Sequence, residues 1–143
     1  MNPLVLDASV AAKWFLPRAE EPLADEALAL LRRYADGEIE FMVPDLFWAE
    51  FSNVIWKAVR MRRIPEQAAA QALADILHDG LLTVGGSTLA EDALAIALST
   101  GRTVYDAMYV ALAVQRESIF VTADERLVNG LATHWPVKWL GVL

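Results

Sequence analysis

Short apolar runs alternate with amphipathic stretches along this chain, and that alternation restricts the fold more than any other feature. Leu4–Leu6, Phe41–Val43, Leu81–Val84, Ile119–Thr122 and Val137–Leu140 read as strands. Each is a near-continuous apolar run, the pattern of a strand covered on both faces. Between them, apolar residues recur at helical spacing. The spacing predicts helices at Val10–Leu16, stopped by Pro17, and at Glu21–Tyr34, ended by Gly37. Asp45–Arg62 reads as a third, and Pro65 suits the first turn of a fourth that ends near Asp79-Gly80. Ser87 or Thr88 caps a fifth that runs to about Ser99, with Gly101 beyond its end. Asp106–Gln115 and Glu125–Leu131 complete the set. Strands alternating with helices imply an α/β domain with a parallel sheet flanked by helices.

With 143 residues, the chain is long enough for one ordinary domain with a substantial core, and the whole of 1–143 is expected to form it. Hydrophobic residues make up 56% of it, which excludes a disordered tail. Charges interrupt every apolar run before it reaches membrane-spanning length. The N-terminus lacks the basic and apolar segments of a signal peptide, so a cytoplasmic location is expected. There is no cysteine, which excludes disulfides and thiolate metal sites. The net charge of −7 argues against a surface coated for nucleic acid, although not against a local basic patch.

Four carboxylates occupy chosen places on this frame. Asp7 closes the first strand, and Asp124 follows the fourth after Thr122-Ala123. Asp106 opens an Ala-rich helix, while Glu50 interrupts the aromatic stretch Leu46–Phe51. In open α/β sheets, sites form beyond the carboxyl ends of the strands. If the first and fourth strands are neighbours, Asp7 and Asp124 converge there. Glu50 shares a partly apolar helix stripe with Leu46, Asn53, Val54 and Lys57, which turns it inward. Acids in apolar surroundings are costly without compensation, and a hard divalent cation would compensate all four together. Ordinary roles compete with this one. Asp7, Asp106 and Asp124 each precede a helix and suit an N-cap, and Lys57 or Arg60 could neutralise Glu50. Ser9 and Thr122 are also common turn and cap residues. Capping does not explain why so many acids face one edge of a sheet.

Other chemistries lack their signatures. Asp7-Ala-Ser9 stands where a dinucleotide fold needs glycines, and there is no phosphate-binding loop of the nucleotide triphosphatase type. A haloacid-dehalogenase-like phosphotransferase would want a second Asp at position 9. Neither His78 nor His134 has a partner motif for a histidine-pair ribonuclease.

Four segments together carry a resemblance. Asp7-Ala-Ser9 with Val10-Ala-Ala-Lys13-Trp14-Phe15-Leu16-Pro17 resembles the opening of a PIN-domain nuclease of the VapC toxin type. Glu50-Phe51-Ser52-Asn53 resembles that family's second motif, and Tyr105-Asp106-Ala107-Met108-Tyr109-Val110-Ala111-Leu112-Ala113 its third. Val121-Thr122-Ala123-Asp124-Glu125-Arg126-Leu127 resembles the fourth. The resemblance implies a PIN-like three-layer fold, a short parallel sheet of four to five strands with a helical-pair arm at about Asp45 to Asp79. It implies a metal-dependent endoribonuclease, the toxin of a toxin–antitoxin pair, using Mg²⁺ or Mn²⁺. By position the metal acids are Asp7, Glu50, Asp106 and Asp124, with Ser9 and Thr122 as hydroxyl partners. The alternative is a non-catalytic PIN-like module that binds RNA or a protein.

The implied partners are an RNA substrate, a VapB-like antitoxin, a second copy of the chain, and DNA only through the antitoxin. An antitoxin peptide would place Arg or Lys near Asp7, Glu50 and Asp106. Lys57, Arg60, Arg62 and Arg63 form the densest basic run, suited to phosphate contacts or equally to a helix C-terminus. Lys13 and Arg102 could lie nearer the crevice. Phe47, Trp48, Phe51 and Trp56 are expected to be available for a dimer contact.

Overall fold

The computed structural model describes residues 3–143. Its centre is a five-stranded parallel sheet of β1 (Pro3–Leu6), β2 (Glu40–Pro44), β3 (Leu82–Val84), β4 (Ile119–Thr122) and β5 (Val137–Trp139), in the order β3-β2-β1-β4-β5. The helices are α1 (Ala8–Ala12), α2 (Ala24–Ala35), α3 (Leu46–Arg60), α4 (Glu66–His78), α5 (Ala90–Thr100), α6 (Val104–Gln115) and α7 (Glu125–Leu131). This is the α/β architecture expected from the alternation of elements.

Register shows why the strands carry no polar alternation. Val5 pairs with both Met42 and Phe120, and partners in a parallel ladder share a face. That face lies under α6, whose Tyr109 ring stacks on Phe120 at 4.9 Å. Leu4 pairs with Phe41 and Ile119 on the opposite face. There, Tyr34 of α2 stacks on Phe41 at 4.8 Å, and Trp14 lies 5.7 Å from the same ring. Both faces are therefore roofed, and Val5, Leu6, Met42, Val43, Phe120 and Val121 are almost wholly buried.

Helix boundaries depart from expectation where side chains compete for the backbone. The first helix stops at Ala12 and continues only as turns towards Pro17. The second starts at Ala24 rather than Glu21. Lys13 Nζ donates to Pro22 O at 2.7 Å and pairs with Glu21, and Leu23 turns left-handed at φ 59°. A bulky residue in that conformation costs about 1–2 kcal/mol, so neighbouring contacts must hold it. Neither Ser87 nor Thr88 caps α5; they form a short 3-10 turn, and the helix begins at Ala90. Its other end is as expected, with Gly101 at φ 77° donating to Ala97 O.

The aromatic stretch of α3 also resolves differently. Phe47 and Phe51 are fully buried and stack at 5.9 Å, and Trp48 Nε1 donates to Thr83 Oγ1. They belong to the chain's own core, so Trp56, 56% exposed, is left as the aromatic open to a partner. No helix among the described residues is long and apolar enough to cross a membrane.

Candidate active site

Strand order places β1 between β2 and β4, so the direction of winding reverses between β1 and β4. A crevice opens outside the carboxyl ends at such a point. Asp7 lies one residue past β1, and Asp124 two residues past β4.

The Asp7 carboxylate is held from two sides. Thr122 Oγ1 donates to Asp7 Oδ2 at 2.6 Å, and the Ser9 amide to Oδ1 at 3.4 Å. The Asp7 amide donates to Val121 O, which stitches the turn to β4. The Thr122 hydroxyl also accepts from the Asp124 amide at 3.1 Å, so one side chain orients both acids. Ser9 Oγ lies 3.5 Å from the Ala123 amide, a long contact with the same loop. Burial raises the Asp7 pKa, against the Thr122 and Ser9 hydrogen bonds, with Asp106 adding repulsion.

Glu50 points inward from the middle of α3, and its partner is not Lys57 or Arg60. Tyr109 OH donates to Glu50 Oε1 at 2.6 Å. Burial raises the Glu50 pKa, the Tyr109 bond opposes this, and Asp7 and Asp106 push it further up. Tyr109, buried against these acids, has its own pKa driven far upward and stays a donor. Sequence motifs alone assign Tyr109 no role. Its signal was spacing: three residues after Asp106, on the same helical face.

Asp106 does not cap α6. The helix starts two residues earlier with Thr103 as N-cap, and Thr103 Oγ1 accepts from the Asp106 amide at 3.1 Å. Thr-x-x-Asp is the spacing of a capping box, which would have located the start. Thr103, not Asp106, is therefore the N-cap of α6. Burial raises the Asp106 pKa, Thr103 opposes, Asp124 raises it and Arg102 lowers it. Asp7 and Asp124 do cap: Asp124 Oδ1 accepts from the Leu127 amide at 3.2 Å.

The Asp7, Glu50 and Asp124 carboxylates are thus oriented by a hydroxyl or an amide, and Asp7, Glu50 and Asp106 each feel the negative charge of another acid. Among the described residues, no three His, Cys, Asp or Glu side chains lie together in this conformation as a group that could hold one ion. The donor chemistry nevertheless fits a hard divalent cation: all the groups are oxygens, several are carboxylates destabilised as anions, and their far sides are hydrogen-bonded. The basic run of α3 is partly committed elsewhere. Arg63 pairs with Glu20 and Glu21, and Arg60 lies over the Trp56 ring at 5.2 Å.

Comparison with known proteins gives the same outline. The family model described as PIN domain matches residues 4–129. Ribonuclease VapC3 of Pyrobaculum aerophilum is 32% identical over 128 residues, covering 88% of this chain and 92% of that protein. The structure of VapC20 of Mycobacterium tuberculosis, a sarcin–ricin-loop-cleaving toxin, superposes with a TM-score of 0.64 at 17% identity, covering 92% of this chain and 95% of that one. A toxin–antitoxin complex from Klebsiella pneumoniae gives 0.62 at 18% identity, covering 94% and 95%. At such identities these two structures speak for the fold alone.

Proposed function

This chain belongs to the PIN-domain family, and from that premise we propose that it is a VapC-type toxin, an endoribonuclease that hydrolyses RNA phosphodiester bonds with Mg²⁺ or Mn²⁺. The observation that carries the reading is the unbalanced set Asp7, Glu50 and Asp106, each raised in pKa by burial and by other acids. Carboxylates kept in mutual repulsion cost stability unless a cation joins them. Asp7, Glu50, Asp106 and Asp124 would hold it. A bound Mg²⁺ or Mn²⁺ would supply charge neutralisation at the phosphate and a more acidic water.

The chain's own residues prepare that chemistry. Thr122 fixes the Asp7 carboxylate and the Asp124 backbone together, so both strand ends present their acids in register. Tyr109 holds Glu50 with a donor that cannot ionise near neutral pH, which orients the acid without competing for a cation. Acids oriented in advance need little rearrangement when charge develops on the substrate.

A cognate antitoxin fits the same reading. The face between α3 and α4, lined by Ile55, Trp56, Val59 and Leu73, is apolar and open. An Arg or Lys of that partner placed among Asp7, Glu50 and Asp106 would take the cation's electrostatic role. Binding of DNA would then belong to the antitoxin, and a homodimer would bring two such sites together. The non-catalytic alternative has one observation on its side, the capping by Asp7 and Asp124. Cleavage decides between them. Purified protein should cut single-stranded RNA with Mg²⁺ or Mn²⁺ and stop with a chelator, and a folded Asp7→Asn protein should not cut. Equal cleavage by that variant would end the assignment.

A further inference from the structure

RNA approaching four carboxylates needs a cation already in place. Arg102, in the loop between α5 and α6, is built to be one. Its backbone amide donates to Thr100 Oγ1 at 3.2 Å, and its Nη2 donates to Arg126 O of α7 at 3.1 Å. Its charge reaches Asp106 on one side of the crevice mouth. Arg126 lies two residues beyond Asp124 on the other.

The seat of the guanidinium is Gly130, one turn further along α7. A Cβ at Gly130 would overlap Arg102 Nη2 and come within 3.2 Å of its Cζ and 3.3 Å of its Nε. The guanidinium therefore lies where a side chain at position 130 would begin, so a larger residue there would push the flexible Arg102 side chain aside. Glycine weakens a helix relative to alanine, so its presence inside α7 runs against local propensity. Among the described residues, one of the five guanidinium N–H donors is hydrogen-bonded, to Arg126 O.

We propose that Arg102 grips a backbone phosphate of single-stranded RNA at the rim of the acidic crevice, and that Gly130 is the seat that aims it. The inference rests on RNA being the substrate. A guanidinium matches phosphate bidentately, and one held in position before binding loses less freedom on binding.

The test is RNA binding without metal, where no cleavage intrudes. A labelled single-stranded RNA oligonucleotide is titrated in chelator across a salt series with wild type, Arg102→Ala, Gly130→Ala, the double variant and Arg116→Ala. Arg116 follows α6 at its far end and is the control for general charge. Losing one phosphate contact on a single strand lowers the slope of log affinity against log salt by about 0.7. Arg102→Ala should show that loss. Gly130→Ala should show a similar one although the arginine remains, and the double variant should lose no more than Arg102→Ala. Arg116→Ala should keep the wild-type slope. Wild-type slopes in both single variants overturn the proposal, whatever happens to their melting temperatures, because they make Arg102 a mere tie between loop and helix. If wild type binds with an Arg102-dependent slope yet never cleaves RNA with Mg²⁺ or Mn²⁺, the nuclease reading fails and the phosphate contact stands. Metal-dependent cleavage with unchanged slopes gives the reverse.

Discussion

Two clusters of charge lie within this small domain, and they solve burial in opposite ways. Around Glu21, the signs balance. Lys13 Nζ lies 3.8 Å from Glu21 Oε1 and Arg63 Nη2 3.5 Å from Oε2, with both Lys13 and Glu21 side chains over nine-tenths buried. Arg63 also reaches Glu20 at 3.6 Å. At the carboxyl edge of the sheet the signs do not balance: Asp7, Glu50 and Asp106 are each pushed up in pKa by burial and by another acid, and Arg102 offsets Asp106 alone. The first cluster pairs its charges, although Glu21 Oε2 accepts no hydrogen bond, and it ties the segment before α2 to the turn after α3. The second has no such pairing. Buried charge by itself therefore says little about function, whereas buried charge without its counter-charge points to a ligand.

The largest expected effect breaks the comparison on the unbalanced side. Asp7→Asn and Asp106→Asn should each lower RNA cleavage by more than about a hundredfold with the fold retained, since changes to mere orienting partners already cost roughly 10–100-fold. Tyr109→Phe, which removes such a partner, should fall within that range. Single-turnover cleavage on protein checked by circular dichroism measures all three. Wild-type rates in Asp106→Asn would remove that residue from the site.

Next comes the balanced side. Glu21→Gln takes the carboxylate from Lys13 and leaves Arg63 only Glu20, and breaking a buried pair by removing one partner costs about 3 kcal/mol. Urea unfolding should show this loss, while cleavage per folded molecule stays at the wild-type level. A stability change below about 0.5 kcal/mol, the scale of an ordinary surface substitution, would show that the pairing is not a buried one in solution.

A smaller effect concerns pH and metal. Asp7, Glu50 and Asp106 have folded pKa values above their unfolded ones, so the folded state holds more protons between the two. Their contribution to stability is complete below the ordinary carboxylate range, near pH 4, and is lost as pH rises through the raised values. In chelator, wild type should thus lose melting temperature relative to the Asp7→Asn/Glu50→Gln/Asp106→Asn protein as pH rises towards neutral. Mn²⁺ or Mg²⁺ should restore the loss at neutral pH in wild type alone. Parallel melting curves with and without metal would contradict the site.

The smallest effect lies outside both clusters. Glu117 takes a left-handed φ of 51° after α6, where Ser118 N donates to Ala113 O and Glu117 N to Val114 O. Glu117→Gly should stabilise by no more than about 1 kcal/mol, because relief of the left-handed strain is partly offset by glycine's unfolded-state entropy. A destabilised variant would mean that the Glu117 side chain does more than tolerate its position.

The parts legible in the sequence were those governed by one-dimensional pattern. The five strands follow from apolar runs, and the sheet edge bearing Asp7 and Asp124 follows from their places just past β1 and β4. What stayed hidden depended on partners distant in sequence. Nothing local says that Phe47 and Phe51 face the core rather than a second chain. Nothing local says that Lys13 and Arg63 draw Glu21 away from the start of α2. The Tyr109–Glu50 bond spans 59 positions. Thr103 is legible, since its spacing to Asp106 is that of a capping box, although an acid at a helix start competes for the same role.

The hydroxyl of Thr122 and the carboxylate of Asp7 are separated by 115 positions in the chain. During synthesis, the first site residue therefore waits for nearly the last. A nascent chain that has not yet delivered β4 lacks both the hydroxyl that orients Asp7 and the acid at Asp124. No amino-terminal fragment ending before Ile119 contains the full set of acids. If the domain cuts RNA, a product interrupted before β4 lacks the assembled set of acids that would do so.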